Sequence, residues 1–265
     1  MSTPIITVVA GPPGVGKTTW IYQHIATPDG NYHVSDEEPL YLSLGSGNIL
    51  IDQTRLKAEL PHVKVFGDDR QVDFFNQLPK ANAVYIELGS YLQLGVVAQV
   101  LNNLPYWKVA LFPPQLTDKY SDWYSWAEAI LPGAAIDTNT DTTHLWRVLT
   151  TGEVIDEDSL HEFWYEITHG AYGKVARAKG VFEVADGRSL YADFVLGVPS
   201  TDFLELNLPR YLEGRPKRFS GIEVLGQNLD EAAMHQTLED CCLSEVAIRQ
   251  YQQQVKQILV EEIQA

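Results

Sequence analysis

One stretch near the start of the chain narrows its possible folds more than any other: Ile5–Ile25, "IITVVAGPPGVGKTTWIYQHI". An apolar run leads into a glycine-rich turn, and a helical pattern follows. Gly11 to Thr18 satisfies G-x-x-x-x-G-K-[ST] without a gap. A chain that turns here from strand to helix, aiming several N–H groups at one point, needs backbone angles that glycine adopts without strain. Gly11, Gly14 and Gly16 supply them and keep side chains out of the cradle. Thr18 and Thr19 open a helix whose N-terminus favours negative charge. The ligand chemistry that fits is a phosphate chain. Gly11, Gly14, Val15, Gly16, Lys17, Thr18 and Thr19 are then the nucleotide-binding residues, with Lys17 on the β/γ-phosphates and the Thr18 hydroxyl on Mg²⁺.

The rest of the first half alternates short apolar runs with helical patterns, which predicts an α/β domain with a mainly parallel sheet. Strands are expected at Ile5–Ala10, Leu40–Leu44, Val63–Phe66, Ala83–Leu88, Lys108–Phe112 and Ala134–Asp137. Helices are expected at Lys17–Ile25, Gln53–Leu60, Val72–Leu78, Gly95–Leu104 and Trp123–Leu131. The run "AVYIELGSY" is an apolar strand ending in Glu87, with Gly89 after it. A carboxylate at such a strand end is placed to join the Mg²⁺ shell or orient a water; the alternative is an edge carboxylate in solvent.

The pattern changes after Thr151. "DEDSLHEFWYEITHG" puts Leu160, Phe163, Trp164 and Ile167 on one helical face, with Gly170 as a stop. "KVARAKGVFEV" and "SLYADFVLG" read as a hairpin joined across "ADGR", "RFSGIEVLG" as a further strand and "DEAAMHQTLEDCCL" as a helix. Residues 1–155 are thus expected to form the nucleotide-binding domain and 156–243 a small α+β domain. Residues 244–265 form a tail helix, docked on its own domain or used for dimerisation or partner binding. Cys241 and Cys242 are neighbours in sequence and make no disulfide framework; inside a helical pattern they read as core packing rather than as metal ligands or reactive thiols. Arg177 and Lys179 share one strand face, either solvated or offered to an acidic partner or the other domain.

A formal net charge of −16 argues against nucleic acid or an anionic membrane as the main partner. No apolar run approaches the roughly 18 residues of a membrane span, and the start lacks the basic segment of a signal peptide, so a cytoplasmic protein is expected.

Taken together these stretches resemble the CobW-type family of P-loop GTPases, a class linked to metal-insertion chaperones. The resemblance rests on Gly11–Thr19, on "YIELGS", on "YGKVARAKGVFEVADGR" from Tyr172 to Arg188, and on "IEVLGQNLDEAAMHQTLEDC". It implies GTP (or ATP) with Mg²⁺ as ligands, Lys17 and Glu87 as catalytic residues, and Thr18 and Glu87 around the metal. It also implies a client protein bound through the C-terminal domain or tail helix. The chain departs from the family in three places. "LSLGSGNILID" keeps Gly47 and Asp52 but lacks the family's Asn-Glu pair. "VFGDDRQ" has Gly67, Asp68, Asp69 and Arg70 where the family carries its Cys metal motif. Two carboxylates there suit at most a hard cation, and otherwise form a solvated turn. The guanine-reading motif is reduced to "TNTD", where Asp141 is the candidate for the base edge and a polar loop is the alternative.

The reading that follows is a nucleotide-binding regulator or chaperone, preferring GTP, with slow hydrolysis coupled to client binding. Its alternative is a non-catalytic adaptor with a structural or vestigial nucleotide site. A small-molecule phosphotransferase would need basic residues closing over the phosphates, and Arg70 is the nearest candidate.

Overall fold

Ile5–Ala10 forms the first strand, β1, and its residues from Ile6 onward are buried, as the near-continuous apolar run requires of a strand covered on both faces. The computed structural model describes residues 4–26, 38–89, 92, 94–101, 104–114, 122–136, 144–199 and 202–264. The chain divides into two units, Met1–Thr138 and Asn139–Ala265.

In the first unit β1 is followed by α1 (Lys17–Ala26), β2 (Leu40–Leu44), α2 (Ile51–Glu59), β3 (Lys64–Phe66), α3 (Gln71–Gln77), β4 (Ala83–Leu88), α4 (Leu94–Leu101), β5 (Trp107–Phe112), α5 (Asp122–Trp126) and β6 (Ala129–Pro132). Among the described residues these strands form one sheet in the order β3-β2-β4-β1-β5-β6, and every pairing is parallel. The chain runs outward from β1 to β2 and β3, returns through β4, then crosses to β5 on the other side of β1. That reversal leaves a crevice beyond the carboxyl end of β1, where ligands bind in open α/β sheets. Val8, Leu42, Val84 and Ile86 pack beneath it with Phe74, Val97 and Leu101.

The helix expected over Trp123–Leu131 stops at Trp126, and Ala129–Pro132 is the edge strand β6, with Val109 opposite Ala129. Pro132 removes no ladder bond from an edge strand but would interrupt a helix, and the alternating burial of these four residues suits a half-exposed edge. No strand forms at 134–136, and Asp137 lies outside the described residues.

The second unit contains β7 (His144–Leu149), α6 (Glu157–Thr168), β8 (Lys174–Glu183), β9 (Ser189–Val195), β10 (Leu204–Glu205), β11 (Gly221–Gln227), α7 (Glu231–Asp240) and α8 (Glu245–Gln264). Its antiparallel sheet has the order β10-β9-β8-β11-β7. The boundary therefore falls earlier than residue 155. β7 pairs with β11 along its whole length, so it belongs with the sheet that follows it in sequence. Asp156 caps α6 by accepting from the Ser159 amide at 3.0 Å, and Asp230 caps α7 by accepting from the Ala233 amide at 3.0 Å. Both helices cover one sheet face, where Leu160, Phe163, Trp164, Phe182, Ile222 and Met234 form the core.

Cys241 and Cys242 lie just past the end of α7 rather than within it. Burial and neighbouring negative charge push both thiols up to about 11, and the Cys241 thiol points at the Ser159 carbonyl. Such thiols stay protonated near neutral pH and are poor nucleophiles. The tail helix α8 docks on its own unit through Ile248 and Gln252, both buried; Gln252 bonds the Gly214 amide and carbonyl and the Tyr211 carbonyl. Farther along, Ile258 and Val260 are exposed.

The sheet face away from the helices carries an alternating row of charge. Arg147, Glu223, Lys179 and Asp193 lie opposite one another across β7, β11, β8 and β9. Lys179 sits 3.4 Å from Glu223, Arg147 2.6 Å from it, and Arg177 3.7 Å from Asp193. Arg177 and Lys179 are thus neutralised within the sheet, and neither is held out as a bare cation for an acidic partner. Burial alone would raise the Glu223 carboxyl, but Lys179, Arg147 and Arg177 together outweigh it and hold it below its ordinary range. A carboxyl lowered by folding contributes stability that is present above its unfolded value and lost as pH falls through its folded one. Glu223→Gln is accordingly expected to lower stability at neutral pH, with the deficit shrinking as pH falls below about 4; urea unfolding of both proteins across that range checks it.

A second ion pair closes the 206–218 segment over the sheet. Arg218 meets the fully buried Glu183 with two bonds, at 2.7 and 2.6 Å, and its remaining donors reach the carbonyls of Pro209 and Gly187. Arg218→Ala leaves a buried carboxylate uncompensated and is expected to cost about 3 kcal/mol. Replacing both members with apolar residues should recover much of that loss, as measured by thermal or urea unfolding.

Candidate functional site

The site is built at the exit of β1. Gly11 has φ +147°, and a Cβ there would stand 2.5 Å from the Leu111 carbonyl, so only glycine lets the loop leave this close to β5. Gly14 and Gly16 also have positive φ, and a Cβ on Gly16 would meet nothing within 4 Å: the loop opens onto free space on that side. Val15 turns inward, almost wholly buried, and its carbonyl accepts from the Ala134 amide at 3.0 Å. Its side chain therefore anchors the loop, and only its backbone is left to face a ligand.

Lys17 is buried, with its ammonium donating to the carbonyls of Gly11 at 3.0 Å and Pro12 at 3.2 Å. The loop's own oxygens thus hold the cation across the mouth of the turn. Thr18 donates to the Glu87 carboxylate, with its hydroxyl 2.8 Å from Oε2 and 3.0 Å from Oε1. Glu87 lies on β4 opposite Val9 of β1 and Ser43 of β2, is itself buried, and is no edge carboxylate in solvent. The structure thus brings Lys17, Thr18 and Glu87 together beneath the loop. Thr19, on the first turn of α1, is exposed. Asp141 lies outside the described residues.

Tyr41 and Ser43, which the sequence reading passed over, also belong here, as does Asp52. Tyr41 of β2 is fully buried and donates to Glu87 Oε2 at 2.9 Å. Burial, with the negative charge of Glu87 and of Asp52, raises its phenol well above the ordinary range, so it remains a donor at any physiological pH. Ser43 and Asp52, both buried, complete the group around Tyr41. Within "LYLSL" a tyrosine looks like one more core residue, and only the pairing of β2 with β4 shows what its hydroxyl reaches.

The two segments flanking the site are tied to each other. Asp68 accepts from the amides of Gly45, at 2.9 Å, and Gly47, at 2.8 Å, so the loop after β2 is stitched to the turn after β3. Asp68 is a backbone clamp rather than a solvated turn. Arg70 pairs with Asp73 at 3.1 Å and lies 5.1 Å over the Phe66 ring, facing away from any phosphate role. Among the described residues no group of three or more His, Cys, Asp or Glu side chains is placed to hold a metal ion. No helix among them is long and apolar enough to cross a membrane.

Among the described residues, the donors placed for a cation near the loop are the Thr18 hydroxyl and the Glu87 carboxylate. These are hard oxygens, which suit Mg²⁺ and not a soft metal. A glycine-rich loop with an unobstructed opening, a buried lysine and a Thr–Glu oxygen pair at the switch point of a parallel sheet define a P-loop nucleotide-binding fold.

Residues 147–242 match the cobalamin synthesis protein cobW C-terminal domain. That stretch begins within β7 and runs through α7, taking in the other four strands of the antiparallel sheet and both covering helices. The phosphate loop lies ahead of this matched domain in the chain. No curated protein matches it. Among solved structures, the zinc-bound YjiA GTPase from E. coli is 13% identical, covering 91% of this chain and 99% of that chain with a TM-score of 0.30. A zinc-bound triple mutant of YjiA GTPase is 14% identical over the same shares, with a TM-score of 0.31.

The Asp68 clamp generates a specific expectation. In Asp68→Ala the amides of Gly45 and Gly47 lose their acceptor, and their hydrogen exchange should quicken by about tenfold, the worth of roughly one charge-assisted bond. Exchange in the β1 and β4 amides should stay unchanged.

Proposed function

We propose that this chain binds a nucleoside triphosphate, GTP before ATP, together with Mg²⁺, hydrolyses it slowly, and uses the bound state to regulate a client protein held by the second unit. The observation that carries this reading is the meeting of Thr18 and Glu87 beneath the loop, with Lys17 buried beside them. A lysine ammonium held at a loop that offers its N–H groups to a ligand is placed to meet an anion there. Lys17 would exchange its carbonyl partners for phosphate oxygens, and the amides of Gly14, Val15, Gly16 and Thr19 would complete the cradle. Mg²⁺ supplies charge neutralisation between phosphates when bound, and Thr18 and Glu87 are the residues that would hold it.

Slow turnover follows from the role left to Glu87. Its carboxylate is engaged by Thr18 and by Tyr41, so it serves the metal side of the site and is not free to orient an attacking water. Asp68, by linking the segments after β2 and β3, offers a path by which phosphate contacts at the loop would reorganise both segments together. The preference for GTP rests on the family, with Asp141 as the residue to face the base. Recognition of the client by the second unit rests on the CobW-type domain.

Equilibrium binding of GTP and ATP, each with Mg²⁺, to nucleotide-stripped protein tests the reading, followed by phosphate release from whichever binds. The parent should bind GTP and turn it over slowly. Lys17→Ala should weaken binding at least about a hundredfold, the loss of one strong charge-assisted contact in a shielded site, with the fold unchanged by circular dichroism. Equal binding by the two proteins would overturn the assignment of the loop. Tight binding with no phosphate release would favour the adaptor reading.

A further inference from the structure

We infer that Tyr41 is a positioning residue for the metal side of the nucleotide site: its hydroxyl fixes the carboxylate of Glu87 so that the Thr18–Glu87 pair is set for Mg²⁺. This rests on the nucleotide reading above and assigns a role to a strand residue outside the phosphate-loop motif.

Glu87 has two oxygens, and their partners differ. Oε1 receives the longer contact from Thr18, at 3.0 Å. Oε2 receives the shorter one, at 2.8 Å, and the Tyr41 hydroxyl at 2.9 Å. A carboxylate held by Thr18 alone would have to move whenever the threonine hydroxyl turned toward a cation. A second donor on the opposite strand removes that freedom, because β2 and β4 are locked in register from Leu40–Val84 to Leu44–Leu88. The tyrosine ring cannot follow the ligand either: it is fully buried, as are Leu40 and Leu42 on the same strand.

The phenol suits this task better than a carboxylate or an amine would. As a neutral hydroxyl donor it steadies the negative charge of Glu87 without cancelling it, and the charge remains for the metal. A lysine at this position would form an ion pair and compete with Mg²⁺ for the carboxylate. Asp52, the second buried carboxylate in electrostatic reach of Tyr41, lies on the first turn of α2, directly after the loop that Asp68 clamps.

The experiment measures GTP affinity of the full chain at a series of Mg²⁺ concentrations and in EDTA, for the parent and for Tyr41→Phe. Tyr41→Phe should keep the affinity measured in EDTA within about twofold and raise the half-saturating Mg²⁺ concentration about tenfold, the value of one hydrogen bond to a charged group. In a Glu87→Gln background the same substitution should add nothing further, because the charge being positioned is gone. A Tyr41→Phe protein that is folded and has an unchanged Mg²⁺ half-saturation overturns the inference, as does full additivity with Glu87→Gln. Loss of affinity in EDTA and in Mg²⁺ by the same factor would also overturn it, since that marks a general packing role. Should Tyr41→Phe not fold, a crystal structure of the parent with Mg²⁺ and a non-hydrolysable GTP analogue decides the matter. A Tyr41 hydroxyl still about 3 Å from Glu87 supports the role, and a hydroxyl released from it overturns the role. A parent that binds no nucleotide with or without Mg²⁺ overturns the nucleotide reading itself, and this inference with it.

Discussion

The close approach of Gly11 to the Leu111 carbonyl is the constraint on which the rest of the first unit depends. β1 can exit into a tight loop only if it runs between two parallel neighbours whose ends leave room, and β4 and β5 do this on either side. The same placement puts the last residues of β4 beside the start of α1. Thr18 and Glu87, distant in sequence, therefore meet because one follows β1 and the other ends its neighbour. A parallel sheet whose order reverses at β1 produces that meeting as a matter of topology. The inward Val15, seated against the segment after β6, keeps the loop from relaxing outward.

Around this fixed centre the adjustable parts are joined through backbone amides. Asp68 follows β3, and its carboxylate closes on Gly45 and Gly47. Both glycines have positive φ, which turns their N–H groups toward a common point, and an acidic side chain is what such a concavity attracts. Phosphate-driven rearrangement would act on a segment that already has a defined anchor.

The second unit solves a different electrostatic problem. One face of its sheet is buried by α6 and α7, and the other holds charged residues at positions where alternation would otherwise place solvent-facing side chains. Setting Arg147, Glu223, Lys179 and Asp193 in one row gives every cation a neighbouring anion, so partly buried charge is tolerated without a large desolvation loss. The buried Glu183 is handled in the same way by the forked guanidinium of Arg218.

The strand–loop–helix at the start, the α/β character of the first half and the hairpin across Ala185–Arg188 were all legible in the residues. Each is a local signal: a motif whose glycines have a backbone purpose, a hydrophobic period, a turn composition. The Trp123–Leu131 segment misled because an edge strand only four residues long has too short a pattern to outweigh a helical one, and pairing with β5 decided it. β7 was hidden for a related reason, since its partner β11 lies far along the chain and nothing near His144 announces which sheet it joins. Glu87 stood out as a carboxylate at a strand end, whereas Tyr41 did not, and Asp52 and Asp68 were noticed without their roles, because those roles exist only through partners on other strands and loops. The sequence by itself determined that a phosphate-binding loop would form and which side chains it would carry, because backbone strain and helix polarity act over a few residues. Only the tertiary structure decided which carboxylate those side chains would face, what holds that carboxylate still, and which charges cancel, because these depend on strand register across the sheets.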